Sequence, residues 1–255
     1  MSDAFPLSEL PPRTTIDIWQ IELDRPLNPG VNLDDILSLP ERNRADRFAF
    51  SRDAFRFRLC RAMLRLGLSW YLQRSPRDVR LENNSRGKPF LADESVVRFN
   101  VTHSDGLALI AFTTAGEVGI DVETVDRAVD AMELASRYFT TGEVAMIAAG
   151  VTPREQASIF LRLWTRKEAV LKAAGYGIVS GLDTIDVSQH LASGVSLRNT
   201  QHKVAETRWM VRDLQAINGF VGAVAAPPGD WSAHHWQVSY EDVFDRVFER
   251  FPGTS

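Results

Sequence analysis

The sequence is short of cysteine, of unbroken apolar runs and of positive charge, and each shortage removes a class of protein. One cysteine, Cys60, can form no internal disulfide and cannot furnish a cysteine zinc cage. No stretch reaches the roughly 18 apolar residues of a membrane span. Positions 1–13 carry Asp3 and Glu9 and lack the basic-then-apolar order of an export signal. These absences lead to the expectation of a cytoplasmic protein with no membrane partner. Lysine and arginine number 29 against 33 acidic residues, a net charge of −4, which argues against nucleic acid as a partner. What is present suffices for a sizeable core: 44% of the 255 residues are hydrophobic and 24% charged.

Apolar and polar residues alternate over 16–23, the pattern of a half-buried strand. From about 34 to 72 the spacing turns helical, with Phe48, Phe55, Leu59, Ala62, Leu66 and Trp70 near one face. Residues 83–89 read as a turn. Short strands are expected at 97–101, 107–112 and 118–122, the last two forming a hairpin over 107–123. Residues 127–149 are helical in composition, with a break near 140–142 and a new start at Thr140 or Thr141 with Glu143. The clearest helix is 155–174, with Phe160, Leu163, Trp164, Val170, Leu171 and Ala174 in one stripe and Gly175 as its stop. Strands are expected again at 184–187, 209–214 and 220–225. This succession is an α+β fold with two halves meeting near 115–125.

Several groups of residues carry chemistry. On a strand Asp121 and Glu123 share one face while Ile120 and Val122 point to the core. Two such carboxylates suit a hard cation such as Mg²⁺, or form a plain acidic strand end. Glu168 and Lys172 lie four apart on one helix face, at the edge of its apolar stripe. They make either a surface ion pair or a carboxylate and an ammonium turned into a cleft. Lys167 falls near the stripe centre and must snorkel or meet an anion. His103, between Thr102 and Ser104 just after a strand, suits a phosphate. Arg86 and Lys88 flank Gly87, which permits close backbone approach. Eight arginines crowd 42–65, Arg52 and Arg61 among them, against only Asp46 and Asp53, which suggests a local anion site beside an otherwise solvated face. His234 and His235 point to opposite faces of a strand and are read as structural.

The order of these groups is itself informative. Gly87-Lys88-Pro89, then Phe99-Asn100-Val101-Thr102-His103-Ser104, then Gly119-Ile120-Asp121-Val122-Glu123, then Trp164-x-x-Lys167-Glu168-Ala169-x-x-Lys172 resembles the 4′-phosphopantetheinyl transferases, in their longer Sfp-type branch. The motifs span about 87–177, and the flanking patterns fit over most of 16–240. The resemblance implies two similar α+β halves in one chain, here 1–117 and 118–255, related by a pseudo-twofold with the active site in the cleft between them. It implies transfer of the 4′-phosphopantetheine arm of coenzyme A to a serine of an apo acyl, peptidyl or aryl carrier protein, releasing adenosine 3′,5′-bisphosphate. Glu168, Lys172 and Asp121 would be catalytic. Mg²⁺, or Mn²⁺, would sit on Asp121, Glu123 and Glu168, with Glu168 acting as ligand, as base, or as both. Coenzyme A would meet Arg61, Arg52, Arg86, Lys88, Thr102, His103, Ser104, Asp121, Lys167 and Lys172. The carrier would dock near 137–139 and 176–178, and the protein would be a monomer. Many relatives carry Ser where this chain has Thr102, a conservative departure. Coenzyme binding without catalysis and metal-dependent phosphodiester hydrolysis are the competing readings.

Overall fold

The computed structural model describes residues 10–175, 182–188, 195–197, 207–215 and 217–251. Its first strand, β1 (Thr15–Glu22), is followed by α1 (Leu39–Ala45) and the long α2 (Ser51–Leu72). The helical region expected over 34–72 is thus two helices, parted by residues 46–50, where Phe48 and Phe50 are exposed. A small hairpin, β2 (Leu81–Asn83) and β3 (Pro89–Leu91), frames the expected turn. Then come β4 (Arg98–Ser104), β5 (Leu107–Thr113) and β6 (Gly119–Thr124). Helices α3 (Ala131–Tyr138), α4 (Thr141–Ala148) and α5 (Pro153–Ala173) follow. Strands β7 (Val195–Leu197), β8 (Thr207–Asp213), β9 (Phe220–Ala226) and β10 (Ser232–Gln237) precede the last helix, α6 (Tyr240–Arg250).

Local sequence accounts for the helix starts. Thr140 and Glu143 form a capping box at α4, and Thr152 and Glu155 do the same at α5, where Pro153 takes the first turn. The hairpin expected over 107–123 is not the one that forms. β5 turns back on β4 through Asp105-Gly106, both at positive φ (39° and 85°), a backbone suited to a tight two-residue turn. β6 leaves that sheet and pairs with β9.

Two four-stranded sheets result, ordered β10-β1-β5-β4 and β6-β9-β8-β7. In the first, β5 lies antiparallel between β1 and β4, with Ile110 opposite both Trp19 and Val101, while β10 joins β1 in parallel. Helices α2 and α6 cover one face of it over Trp19, Phe112, Leu59, Met63, Val243 and Val247. The C-terminal strand and helix therefore return to the sheet that the N-terminal residues began. In the second sheet, α5 lies on Val211, Ala223 and Ala225 through Phe160, Leu163 and Val170. A third core joins the opposite faces of both sheets: Ile16, Ile18, Leu109 and Ala111 from one, Ile120, Val122 and Val224 from the other. β5 is consequently buried on both faces, which explains its unbroken apolar run.

Candidate active site

The edge strands of the two sheets, β4 and β6, lie side by side and are joined by side chains. Asn100 Oδ1 accepts from Ile120 N (2.9 Å), Thr102 Oγ1 donates to Asp121 Oδ1 (3.1 Å), and Ser104 Oγ donates to Glu123 Oε2 (3.2 Å). Ser104 Oγ also accepts from Thr124 N (3.3 Å). The alternation expected of 119–123 is what makes this possible, since Ile120 and Val122 enter the third core and leave Asp121 and Glu123 on the other face.

Helix α5 crosses that face almost in backbone contact. A Cβ on Gly119 would stand 2.0 Å from Ala169 O and 2.3 Å from Ala173 N, so only glycine admits the crossing. The close approach brings Lys172 onto Asp121: Nζ donates to Oδ1 (2.6 Å), to Thr102 Oγ1 (3.1 Å) and to Ile120 O (3.2 Å). Glu168, one turn earlier and 3% exposed, lies against the same group. Burial first, then the charge of Asp121, pushes its carboxyl from 4.5 up to about 7, with Lys172 opposing the rise. Two carboxylate oxygens here, Asp121 Oδ2 and Glu168 Oε1, are buried without a hydrogen-bond partner. Orphaned acceptors of this kind fit a cation. Among the described residues, however, no three ligand-type side chains stand in ready coordinating geometry. Glu123 is turned to Ser104 and to an ion pair with Arg127.

The remaining residues expected in the site divide. His103 is exposed at the end of the seam, where crowding by protein atoms, then Lys172 and Arg56, holds its imidazole below the usual value. Lys88 lies on the rim of a cavity of about 500 Å³ that reaches the end of α5, with Nζ donating to Glu117 Oε2 (3.1 Å) and Val118 O (3.4 Å). Arg98 shares the same Glu117 (3.0 Å). Arg86 is exposed in the β2–β3 turn. Arg61 lies against Glu41 (3.6 Å) and the Phe57 ring, and Arg52, 70% exposed, beside Asp53 (3.6 Å).

Lys167 is not in this site. It is fully buried on another side of α5, where Nζ meets Glu143 Oε2 (2.6 Å), Leu182 O (2.6 Å) and Ile185 O, above the Phe139 ring. Glu143 Oε1 accepts from Val187 N (2.9 Å). These side chains satisfy the backbone of 182–187, so that segment forms a 3₁₀ turn and an irregular stretch where a strand was expected.

Half of the arginines in the stretch are paired with acids outside it. Arg56 forks onto Asp24, Arg58 pairs with Asp34 and Asp46, and Arg65 with Glu41 (2.7 Å). At the expected carrier surface, Phe139 is buried and stacked on Phe160 at 5.1 Å, whereas Tyr138 is 40% exposed. Residues 176–178 lie outside the described residues. His234 and His235 are on β10, the edge of the first sheet opposite β4. Asn100, Gly119 and Arg127 were missed as organisers of the site. A short polar residue inside a strand and a glycine opening one were the available signals for the first two.

Residues 117–225 match the model of the 4′-phosphopantetheinyl transferase superfamily, and residues 32–115 that of the 4′-phosphopantetheinyl transferase N-terminal region. The chain is 34% identical over 224 residues to the 4′-phosphopantetheinyl transferase HetI of Nostoc sp., covering 87% of this chain and 91% of HetI. The chain belongs to the 4′-phosphopantetheinyl transferase family. It is similar to the 4′-phosphopantetheinyl transferase Sfp of Bacillus subtilis, 28% identical over 228 residues, 89% of this chain and 99% of Sfp. It is also similar to the mouse L-aminoadipate-semialdehyde dehydrogenase-phosphopantetheinyl transferase, 28% identical over 222 residues, 79% of this chain and 70% of the mouse protein. As a phosphopantetheinyl transferase of the Sfp and HetI type it is an enzyme, and the Asp121–Glu168–Lys172 cluster falls inside the matched superfamily region. Among the described residues no helix is long and apolar enough to cross a membrane.

Proposed function

We propose that this transferase moves the 4′-phosphopantetheine arm of coenzyme A to a serine hydroxyl of an apo acyl, peptidyl or aryl carrier protein. The serine oxygen forms a bond to the phosphorus that bears pantetheine, the pyrophosphate P–O bond breaks, and adenosine 3′,5′-bisphosphate departs. The observation that carries the reading is the Asp121–Glu168–Lys172 cluster, with two orphaned oxygens and an ammonium 2.6 Å from a carboxylate.

Glu168 takes the serine proton. In the cation-free site its carboxyl is pushed up to about 7, half ionised near neutrality, and a bound cation would favour the ionised form that accepts a proton. Lys172 exchanges Asp121 for a phosphate oxygen as charge develops on the leaving group. Asp121 and Glu123, with Glu168 as the third carboxylate, would hold Mg²⁺ or Mn²⁺. The cation supplies neutralisation of the pyrophosphate charge. Thr102 and Ser104 hold the carboxylates in place. His103, Lys88 and Arg86, with Arg61 and Arg52 farther along α2, would receive the coenzyme phosphates. A phosphate beside His103 reverses the sign of its surroundings and favours the imidazolium.

The same reading makes the chain a cytoplasmic monomer whose halves, 1–117 with the returning β10 and α6 and the remainder of 118–255, are related by a pseudo-twofold about the β4–β6 cleft. Supporting it, each four-stranded sheet carries one long helix, of 22 residues in α2 and 21 in α5. Intact-mass spectrometry of an apo carrier protein incubated with coenzyme A, Mg²⁺ and this enzyme tests the function. A mass gain equal to the phosphopantetheine arm, abolished by EDTA and by Glu168→Gln, is expected. Uniform failure with acyl, peptidyl and aryl carriers, coenzyme A still binding, refutes it.

A further inference from the structure

The carboxylates of the site are not equivalent. Asp121 and Glu168 each keep one buried oxygen without a partner. Glu123 keeps none: Oε2 accepts from Ser104 at 3.2 Å, and Oε1 is ion-paired with Arg127. The turn after β6, where Arg127 N donates to Thr124 O at 3.3 Å, folds the guanidinium back over the strand end. Arg127 is 45% exposed there, whereas its partner Glu123 is 16% exposed. The protein thus supplies its own countercharge to both strand carboxylates, an ammonium for Asp121 and a guanidinium for Glu123.

We propose that Arg127 is a positioning residue that competes with the divalent cation for Glu123. It holds Glu123 away from the two open oxygens, so three carboxylates do not converge until the cation displaces the guanidinium. The inference rests on the reading of Asp121, Glu123 and Glu168 as a cation site. Removing the guanidinium acts twice in one direction, by freeing Glu123 and by deleting a positive charge beside the cation. Cation affinity then rises about three- to tenfold, the scale expected for one exposed ion pair and its neighbouring charge.

The test is a titration of Mn²⁺ into the full-length, coenzyme-free protein, with free Mn²⁺ read by electron paramagnetic resonance. Arg127→Gln is expected to bind about three- to tenfold more tightly than wild type. Arg127→Lys, which keeps the charge, is expected to stay near wild type, and Asp121→Asn to abolish the site. Because Arg127 lies in an exposed turn, its two variants keep the fold, and circular dichroism checks this for them and for Asp121→Asn. Equal affinity in Arg127→Gln and wild type, with Asp121→Asn still abolishing binding, overturns the role of Arg127 alone. Absence of Mn²⁺ binding, or binding indifferent to Asp121→Asn, overturns the cation site and this inference with it.

Discussion

Burial of Glu168 makes the stability of the cation-free enzyme depend on pH in a definite direction. Unfolded, the carboxyl releases its proton near 4.5; folded, it does so near 7. Between those values the folded state binds the extra proton, so this group's contribution to stability is fully present below 4.5 and is lost as pH rises through about 7. The gap corresponds to about 3 kcal/mol. At 3% exposure solvent screening reduces this little. Glu168→Gln removes the ionisation while keeping the shape. Urea unfolding at pH 5 and pH 8, after EDTA treatment, should give similar stabilities for wild type and variant at the lower pH. At the higher pH the variant should be the more stable by up to about 3 kcal/mol, although inactive. Added Mg²⁺ should narrow the difference by favouring the ionised wild-type carboxyl. Parallel pH profiles for the two proteins would refute the argument, because the substitution removes a carboxyl that burial lifts into that range.

Gly119→Ala should destabilise the protein by about 3 kcal/mol, since the new methyl meets backbone and cannot be relieved by a rotamer. Its melting temperature should fall by roughly 6–12 °C, with transfer activity falling as α5 is pushed off β6; a melt within about 2 °C of wild type would contradict the close crossing. Lys167→Met should cost about 3–5 kcal/mol in urea unfolding by leaving Glu143 charged and unpaired, and adding Glu143→Gln should recover part of that loss. A cost under about 1 kcal/mol for Lys167→Met would contradict the buried pair.

What could be read from the sequence was local. The alternation at 119–123 sorts Ile120 and Val122 from Asp121 and Glu123 with no knowledge of the fold. The stripe of α5 and its Thr152–Glu155 cap were equally visible in principle, and so was the Asp105-Gly106 turn that decides which strands form the hairpin. α6 also carries a legible pattern, with Val243 and Val247 four apart behind the Ser239 cap, yet it went unassigned. What could not be read was pairing over distance. Counting only the nearby acids left the arginines of 42–65 in excess, whereas Asp24, Asp34 and Glu41 fold back onto them. Lys167 sits in the same motif as Glu168 and Lys172, but successive helix positions are about 100° apart, and its acceptors come from Glu143 and 182–187. The parallel return of β10 to β1 joins positions more than 200 apart in sequence, with no local cue.

The seam between the sheets gives a structural reason for the site proposed there. β4 and β6 are edge strands, and an open edge would present unpaired backbone groups. Here the side chains of Asn100 and Ser104 take up Ile120 N and Thr124 N, and Thr102 ties the next position through Asp121. Such a join needs short polar side chains on one strand and acceptors on the other, and it leaves room for α5 to bring a carboxylate and an ammonium onto it. Thr102 shows the consequence, because it donates to Asp121 while accepting from Lys172. Beside the third core, the polar contacts that join the two sheets are therefore also contacts that position the proposed reactive groups. The enclosure that lifts Glu168 into the neutral range is a product of the same join. Loosening the seam to relieve that cost would return Glu168 to water and to an ordinary carboxylate pKa, so this part of the enzyme's instability is inseparable from the role proposed for Glu168.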